Sequence, residues 1–297
     1  MALRVTPRTA QRIAINGLEA NLKRMTKLQE QMATGKQINR PSDSPISTVS
    51  AMQYRSDIRR NEQFTRNAND GLNWLGIADE TLTGLMTTVG RVRELVIRGK
   101  NGSLGPVERG NVAAEVETLK DTLVGLANTK YLDRPIFAGN ADVLQAYNAG
   151  GSFQGSVDDV VERRVGPNMK VRVNVTGPEV FGAGNGTNGS LFEVVQKIVD
   201  DLNGNPSGLG ADLTDLDARV VELQNHLGAI GARYHQVEGM RDRSEATNIT
   251  LTNGLSEVEN IDLPRTIVDL QLQEVAYQSA LAATARVIQP SLVDFLR

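Results

Sequence analysis

The strongest constraint on this fold is an uninterrupted apolar repeat in the last third of the sequence. Between positions 213 and 237, apolar side chains recur three and four residues apart, the spacing that places them along one edge of a helix. The repeat comprises Leu213, Leu216, Val220, Leu223, Leu227, Ile230, Tyr234 and Val237. An apolar edge of this length must be covered by other helices, so the sequence predicts a helical bundle. We expect this helix to continue to Ile261, with a solvated polar midsection around Arg241, Ser244 and Asn248.

Other segments supply helices of matching pattern. A first helix is predicted from about Thr9 to Met32, with Gly35 as the residue that closes it. After a turn, a helix or helix pair is predicted from Pro45 to Arg98, and a further helix begins at Pro106. The buried edge of the helix that begins at Pro45 is predicted to contain Leu75, Leu82, Val89 and Val96. That of the helix that begins at Pro106 is predicted to contain Val112, Val116, Leu119, Leu123 and Leu126.

The two ends of the chain carry more apolar surface than one pairing can cover. The predicted helix from Pro264 to Gln289 has two stripes that lie about 100° apart around its axis. Only one stripe can face the N-terminal helix, so we expect the ends to pair and then to complete their packing against further copies or relatives. The predicted assembly interface comprises Ile15, Leu18, Leu22, Met25 and Met32 on the first helix and Ile267, Leu270, Leu272, Val275, Tyr277, Leu281 and Ile288 on the last. Isolated terminal helices lose more backbone entropy than their few aliphatic side chains recover, so they should be frayed in the monomer.

The middle of the chain differs in composition from both flanks. Residues 139–210 hold 13 of the 28 glycines. Glu162 to Val165 and Met169 to Val175, separated by Gly-Pro-Asn, predict a β-hairpin, and Leu191 to Leu202 predicts a short helix. The fold class is therefore mainly α with a small β-rich insert, a long antiparallel helical bundle built from both chain ends. The predicted divisions are 1–40 and 264–297 for the two halves of a terminal helical domain, 41–138 and 211–263 for a helical bundle domain, and 139–210 for an outer insert.

Composition excludes several classes of function. The chain has no cysteine, so disulfides, thiolate catalysis and thiolate metal sites are absent. Its net charge of -3 gives no overall attraction to nucleic acid or to an anionic membrane. Residues 1–60 carry 11 Lys and Arg against 4 Asp and Glu, a surplus that we expect the acidic C-terminal segment to neutralise. No cleavable signal peptide and no membrane-spanning stretch are recognised. Together with the net charge, this leads us to expect neither nucleic-acid nor membrane partners.

The search for catalytic chemistry finds no convincing site. The Gly184 to Gly189 run spells a dinucleotide-binding pattern, but a Gly-Pro pair separates it from the preceding strand, so we interpret it as a surface loop. His226 and His235 lie nine residues apart on one helix and therefore on opposite faces. The acidic pairs Asp158 with Asp159 and Asp200 with Asp201 are sequence neighbours that point in different directions. We predict no catalytic residue, cofactor or metal.

One motif resembles a known family. The run Gly35-Lys-Gln-Ile-Asn-Arg-Pro-Ser-Asp-Ser-Pro45 is similar to the loop after the first helix of the bacterial flagellin family, in the form found in its hook-filament junction members. The resemblance extends to Tyr131–Gly139 and Gly228–Arg233, and near the C-terminus to Gln271–Glu274, Tyr277–Ala285 and Ser291–Leu296. It therefore covers both flanks and leaves the insert unmatched. The loop residues that carry the motif are Asn39, Arg40, Pro41, Ser42, Asp43 and Pro45. Ser44 departs from the family pattern, which has an aspartate there.

The resemblance implies a structural, non-enzymatic protein of the bacterial flagellum. It implies an adaptor that joins hook to filament, with its terminal helices in the inner tube and its insert facing outward. Its expected partners are copies of itself in a ring-like layer, an adjacent hook-associated protein, flagellin, and an export chaperone at the C-terminal helix. The expected location is extracellular, reached through type III export without a cleaved signal peptide.

Three alternatives stay open at this point. The chain could be a filament flagellin, which would polymerise into long filaments. It could be a cytoplasmic coiled-coil signalling or chaperone-like protein, which would stay inside cells with intact flagellar export. A nucleotide-dependent enzyme would bind nucleotide saturably through Gly184 to Gly189.

Overall fold

The computed structural model describes residues 7–101, 104–157, 159–184 and 189–288. Within these residues helices dominate and the strands form two small antiparallel hairpins. The helices are α1 (Pro7–Thr34), α2 (Pro45–Gly99), α3 (Pro106–Ala127), α4 (Gly177–Phe181), α5 (Leu191–Gly204), α6 (Leu209–Glu259) and α7 (Leu263–Ile288). The strands are β1 (Lys130–Tyr131), β2 (Arg134–Pro135), β3 (Glu162–Gly166) and β4 (Met169–Arg172). The mainly α fold class is confirmed.

The chain divides into two compact units. The terminal unit comprises Met1–Arg60 and Asn248–Arg297, and the central unit comprises Asn61–Thr247. The start of α2 and the end of α6 belong to the terminal unit together with α1 and α7. The finer five-part division of the chain stays a prediction.

The central unit contains the bundle core that the apolar repeats predict. Every seventh residue of the long repeat on α6 is buried, at Leu216, Leu223, Ile230 and Val237. The intervening repeat positions are half-buried at the edge of the contact. The period-seven positions of α2 at Leu75, Leu82, Val89 and Val96 are all buried, and α3 buries Val112, Val116 and Leu123. The heptad pattern thus predicted which face of each helix is covered.

The polar midsection of α6 differs from the expectation. We expected Ser244 to be solvated, but its side chain is buried, and its carbonyl oxygen accepts a hydrogen bond of 2.6 Å from Asn61 Nδ2 on α2. The expectation was wrong because a polar residue on an apolar edge can be covered when the facing helix supplies a donor.

The insert carries the predicted hairpin and shares its core with the helices. Strand β3 pairs antiparallel with β4, which ends at Arg172 rather than at Val175. Helix α5 packs against α3 and continues to Gly204. An aromatic cluster fills the space beneath α4 and α5, with Phe181 and Tyr147 in edge-to-face contact at a centroid distance of 5.3 Å. Its other rings are Phe137, Phe153 and Phe192.

Two elements had no sequence prediction. The β1–β2 hairpin turns through Leu132 and Asp133, which adopt left-handed φ angles of 49° and 62°. Such a turn is usually made by Asn-Gly or Asp-Gly, so Leu-Asp gave no turn signal. Helix α4 is short and begins at a capping box between Thr176 and Glu179.

Candidate assembly surface

The terminal unit is built on the pairing of α1 with α7. The two helices run antiparallel, because Ile261 N donates to Gly35 O at 3.1 Å, while further along Gln273 Nε2 donates to Asn21 O at 3.2 Å. The predicted pairing of the chain ends is confirmed. The pairing also brings basic and acidic segments together, as Lys27 of α1 and Asp269 of α7 line one surface groove.

Pairing leaves much of the apolar surface of these two helices exposed. On α1, Leu18, Met25 and Met32 are half-buried, whereas Ile15 and Leu22 stay exposed. On α7, Leu270 and Tyr277 are half-buried, whereas Ile267 and Leu281 stay exposed. The second stripe of α7 is the most open, with Leu272 exposed by 64% and Val275 by 61%. The side chain of Ile288 lies outside the described residues.

The two units differ sharply in how much apolar surface they bury. Among the described residues, the terminal unit buries a single apolar side chain, that of Ala51, whereas the central unit contains a continuous apolar core whose members run from Ala68 to Val237. Helices without a buried apolar face gain little stability from propensity alone. The apolar side chains of the terminal unit therefore lie mostly at its surface.

The loop between α1 and α2 is held by its own polar groups. Gly35 adopts a left-handed φ of 70° and closes α1 by donating from its amide to Gln31 O at 2.8 Å, as predicted. Asp43 Oδ2 accepts hydrogen bonds from the backbone amides of Asn39 at 3.2 Å and Arg40 at 2.9 Å. Lys27 Nζ lies 3.0 Å from the other oxygen of Asp43. The carboxylate therefore fixes the loop to α1.

The second half of the motif starts the next helix. Ser44 caps α2, since its Oγ accepts from Ser47 N at 3.4 Å, and Pro45 occupies the first helical position. A serine serves here where the family pattern has an aspartate, because both side chains offer the oxygen that a helix start needs. Pro41 and Ser42 form the exposed outer face of the loop.

A buried carboxylate fastens this loop to the end of α6. The side chain of Glu259 is 7% exposed, and its Oε1 lies 2.5 Å from Lys36 Nζ and in contact with Arg55 Nη2. The backbone reinforces this contact, because Gln37 N donates to Glu259 O at 2.7 Å and Lys36 bridges Asn260. We call Lys36, Arg55 and Glu259 the junction clamp. Sequence reasoning did not single out Glu259, whose partner Arg55 lies 204 residues away.

The electrostatics of both carboxylates favour the ionised form. Hydrogen bonding from Lys27 and from the Arg40 amide lowers the pKa of Asp43. Burial by itself would raise the pKa of Glu259, but the hydrogen bond from Lys36 and the charge of Arg55 outweigh it and lower that pKa. Both groups therefore act as fixed anions near neutral pH.

The residues considered for chemistry are scattered. Residues 185–188 of the glycine run lie outside the described residues, and Gly189 leads into the Ser190–Glu193 capping box that starts α5. His235 is exposed with Nδ1 at 3.3 Å from Glu238 Oε2, while His226 is half-buried on the same helix. In the part of the chain that the structure describes, no group of three or more His, Asp or Glu side chains is placed to hold a metal ion. In that same part, no helix has the length and apolar content that crossing a membrane requires.

Comparison with known proteins shows what this chain is similar to. Residues 6–142 match the family model described as the bacterial flagellin N-terminal helical region. The resemblance to the bacterial flagellin family is confirmed. The chain is 23% identical to the flagellar hook-associated protein 3 of Escherichia coli, over 86% of this chain and 87% of that protein. It is 22% identical to the flagellin of Bacillus subtilis, over 97% of both chains.

Solved structures of flagellar hook-associated proteins share the fold. One from Vibrio parahaemolyticus matches with a TM-score of 0.67 and 17% identity, covering 73% of this chain and 100% of its own. Hook-associated protein 3 of Legionella pneumophila matches with a TM-score of 0.62 and 16% identity, covering 70% of this chain and 98% of its own. The flagellin-like fold therefore reaches well beyond residues 6–142 and into the return half of the bundle.

Proposed function

We propose that this chain is a structural adaptor of the bacterial flagellum that joins the hook to the filament. The observation that carries the proposal is the contrast between the two units, because the terminal unit buries one apolar side chain among its described residues while the central unit has a full core. The hook-associated proteins to which the chain is similar along most of its length support the flagellar assignment.

The exposed stripes supply the means of assembly. In this proposal, Leu272 and Val275 on the open face of α7 pack against neighbouring subunits, while Leu270 and Tyr277 face α1. Burial of apolar side chains drives such association. Each exposed aliphatic side chain that becomes fully buried contributes about 1.5–3 kcal/mol, so a row of them on each subunit favours association.

The proposal assigns a role to each part of the chain. Residues 1–40 and 264–297 form the inner tube of the assembled layer, residues 41–138 and 211–263 form the surrounding helical domain, and residues 139–210 face outward. The partners are copies of the same chain in a ring-like layer, a hook-associated protein on one side and flagellin on the other. Heterologous contacts of this kind close into rings or extend into helices according to the rotation between neighbours.

The proposal includes how the chain reaches its place and what it does there. A chaperone covers the C-terminal helix before export, because its exposed apolar stripe would otherwise aggregate. The chain leaves the cell through the flagellar export apparatus without a cleaved signal peptide. It acts by packing and carries out no catalysis.

Electron microscopy of cells that lack this protein tests the proposal. We expect hooks without filaments, together with flagellin shed into the medium, because monomers that lose the junction have no surface on which to polymerise. Full-length filaments on these cells would refute the adaptor role. Complementation with the intact gene should restore filaments and is the control for effects on neighbouring genes.

Filament flagellin is the second candidate, and the match to the Bacillus subtilis flagellin over 97% of both chains favours it. Purified protein distinguishes the two candidates. A filament subunit extends seeded filaments without limit, whereas an adaptor adds one layer to a hook end and stops. Long filaments composed of this chain alone would favour flagellin.

A further inference from the structure

A basic cleft lies in the terminal unit beside the junction clamp. It has a volume of about 640 Å³ and is formed by the end of α1, the loop that follows, the first turns of α2 and the end of α6. Its lining includes the apolar side chains of Ile38, Pro41 and Met52, which we call the floor, and Met52 is 63% exposed. An open apolar floor of this kind favours an apolar occupant.

The residues that line the rim of the basic cleft include more basic than acidic side chains. Lys36, Arg40 and Arg55 line it, and Glu259 is the one carboxylate among its lining residues. Glu259 is engaged by both Lys36 and Arg55, which leaves a surplus of two positive charges. Arg40 meets Glu30 at 3.4 Å with its side chain 71% exposed, so its guanidinium is available to a further anion. The occupant should therefore combine apolar side chains with a carboxylate.

We infer that the basic cleft receives residues 292–296 of a second copy of this chain. The sequence there is Leu-Val-Asp-Phe-Leu, in which one carboxylate, that of Asp294, is flanked on both sides by large apolar residues. The segment lies outside the described residues and follows directly after α7. Its apolar side chains match the floor of the basic cleft and its carboxylate matches the rim.

Chain geometry excludes the cleft of the same molecule. Helix α7 has 26 residues and runs alongside α1 away from the cleft, so its end lies about 39 Å from its start. Asp294 follows Ile288 by six positions, which is at most about 20 Å of extended chain. The segment therefore falls short of its own cleft and reaches that of a neighbouring subunit.

The contact that results is heterologous, with the tail of one subunit in the loop region of the next. It rests on the proposed function in that both require copies of the chain to assemble through the terminal unit. It adds a specific pair of surfaces to that assembly, the basic cleft and residues 292–296. It also gives the assembly a direction, because every subunit places its C-terminal segment in one neighbour and receives the segment of another.

Engineered disulfides test the pairing, since the sequence has no cysteine of its own. Full-length chains carrying Met52→Cys are mixed with full-length chains carrying Phe295→Cys under assembling conditions and oxidised with diamide. We expect a disulfide-linked dimer in high yield, because docking raises the local thiol concentration to about the millimolar range. The control pairs Phe295→Cys with Leu144→Cys, a site in the central unit that is 84% exposed and therefore at least as accessible as Met52.

The outcomes separate the inference from the proposed function. Assembly of the wild-type layer with equal yields from the test and control pairs would overturn the inference and leave the adaptor role intact. Absence of any assembled layer from wild-type protein would count against the adaptor role itself. An intrachain disulfide in a diluted chain that carries both Met52→Cys and Phe295→Cys would show that the segment occupies its own cleft, and would also overturn the inference.

A binding measurement covers the case in which the cysteine variants assemble poorly. A fluorescent peptide of residues 289–297 is titrated onto the wild-type chain and its anisotropy is recorded. We expect saturable binding that Arg40→Glu weakens about two- to fivefold, the range expected for one partly exposed ion pair. Arg59→Glu makes the same charge change at an exposed position of α2 that does not line the cleft, and it should leave the affinity unchanged. A peptide with Asp294→Lys should bind the wild-type chain weakly and should regain affinity for the Arg40→Glu chain. If this peptide binds the wild-type chain as tightly as the native peptide does and gains no affinity for Arg40→Glu, the charge pairing is refuted.

Discussion

Glu259, at the end of α6, lies with its carboxylate 2.5 Å from the ammonium group of Lys36, which follows α1. The same carboxylate contacts Arg55 on α2, so one buried side chain of α6 connects to α2 and to the loop that follows α1. This unit buries almost no apolar surface among its described residues. The junction clamp is therefore one of the few specific contacts that position the start of α2 and the end of α6 relative to the segment after α1.

Replacing Glu259 with Gln should loosen this junction. The neutral amide leaves Lys36 and Arg55 without their counter-charge, and the loss of a charged hydrogen-bond acceptor costs about 1.5–3 kcal/mol. Hydrogen exchange measured by NMR should report the change at the amides of Gln37 and Ile261. These amides donate to Glu259 O and Gly35 O, and so join the segment after α1 to the end of α6. Their protection should fall about 10- to 100-fold.

Glu257→Gln is the matched control for the junction clamp. Glu257 is exposed on the same turn of α6, and it does not line the basic cleft. Its neutralisation should leave both amides protected. Equal effects of the two variants would mean that overall charge, and not the clamp, holds the junction.

The clamp should also make the terminal unit sensitive to acid. The pKa of Glu259 is lower in the folded chain than in the unfolded chain, so its contribution to stability is fully present above the unfolded pKa. The contribution is lost as the pH falls through the lowered, folded value. Exchange of the Gln37 and Ile261 amides, followed from neutral pH downward and corrected for intrinsic rates, should accelerate in this acidic range. The same profile should be flatter in Glu259→Gln, and identical profiles would exclude the clamp as the titrating element.

Sequence patterns predicted those parts of the fold whose period fixes their environment. The seven-residue period on α2 and α6 predicted that Leu82 and Leu223 are buried. Residues that recur with this period lie on one face of a helix, and an apolar face is covered by a neighbouring helix. The loop was predicted from Pro41 and Pro45, since proline fixes φ and ends or starts helices. Where local chemistry dominates, the sequence was therefore sufficient.

Long-range polar contacts carried no comparable signal. Glu259 is one of several acidic residues near the end of α6, and only the fold shows that Lys36 and Arg55 surround it. The turn through Leu132 was missed because its local sequence is misleading. Leucine rarely adopts a left-handed φ, so nothing at this position predicts the turn. The assembly residues were predicted from an excess of apolar stripes, and their role in assembly stays a prediction.

Removing the carboxylate of Asp43 should release the loop from α1. Asp43→Ala deletes the acceptor of the Asn39 and Arg40 amides and the partner of Lys27. We expect faster hydrogen exchange at both amides and more rapid proteolysis within residues 36–44. Ser42→Ala, an exposed neighbour in the same loop, is the control and should behave as wild type. Unchanged protection in Asp43→Ala would show that Gly35 and Pro41 alone define the loop.

The terminal helices should gain protection when subunits assemble. In the monomer, the amides of α1 and α7 should exchange rapidly, because little apolar surface covers them, whereas the core of α2 and α6 around Leu82 and Leu223 should exchange slowly. In the assembled layer, both sets should exchange slowly, and circular dichroism should show increased helix content. Equal protection of α1 and α7 in monomer and layer would contradict the claim that assembly orders the chain ends.

Replacing Leu281 with Asp should prevent assembly and spare the central unit. Leu281 is 44% exposed in the monomer, so the carboxylate stays hydrated there and the cooperative unfolding of the central unit should match wild type. In the assembled layer the same position would be covered, and burial of an unpaired charge costs several kcal/mol. Sedimentation should show monomers only, and cells with this variant should be non-motile.

Leu144→Asp is the control for this charge, because Leu144 is exposed by 84% and belongs to the central unit. It should assemble normally, since its added carboxylate stays in water in the layer as in the monomer. If Leu281→Asp assembles as well as Leu144→Asp does, this side of α7 is not part of the interface. The remaining stripe, through Leu272 and Val275, would then have to supply the whole contact.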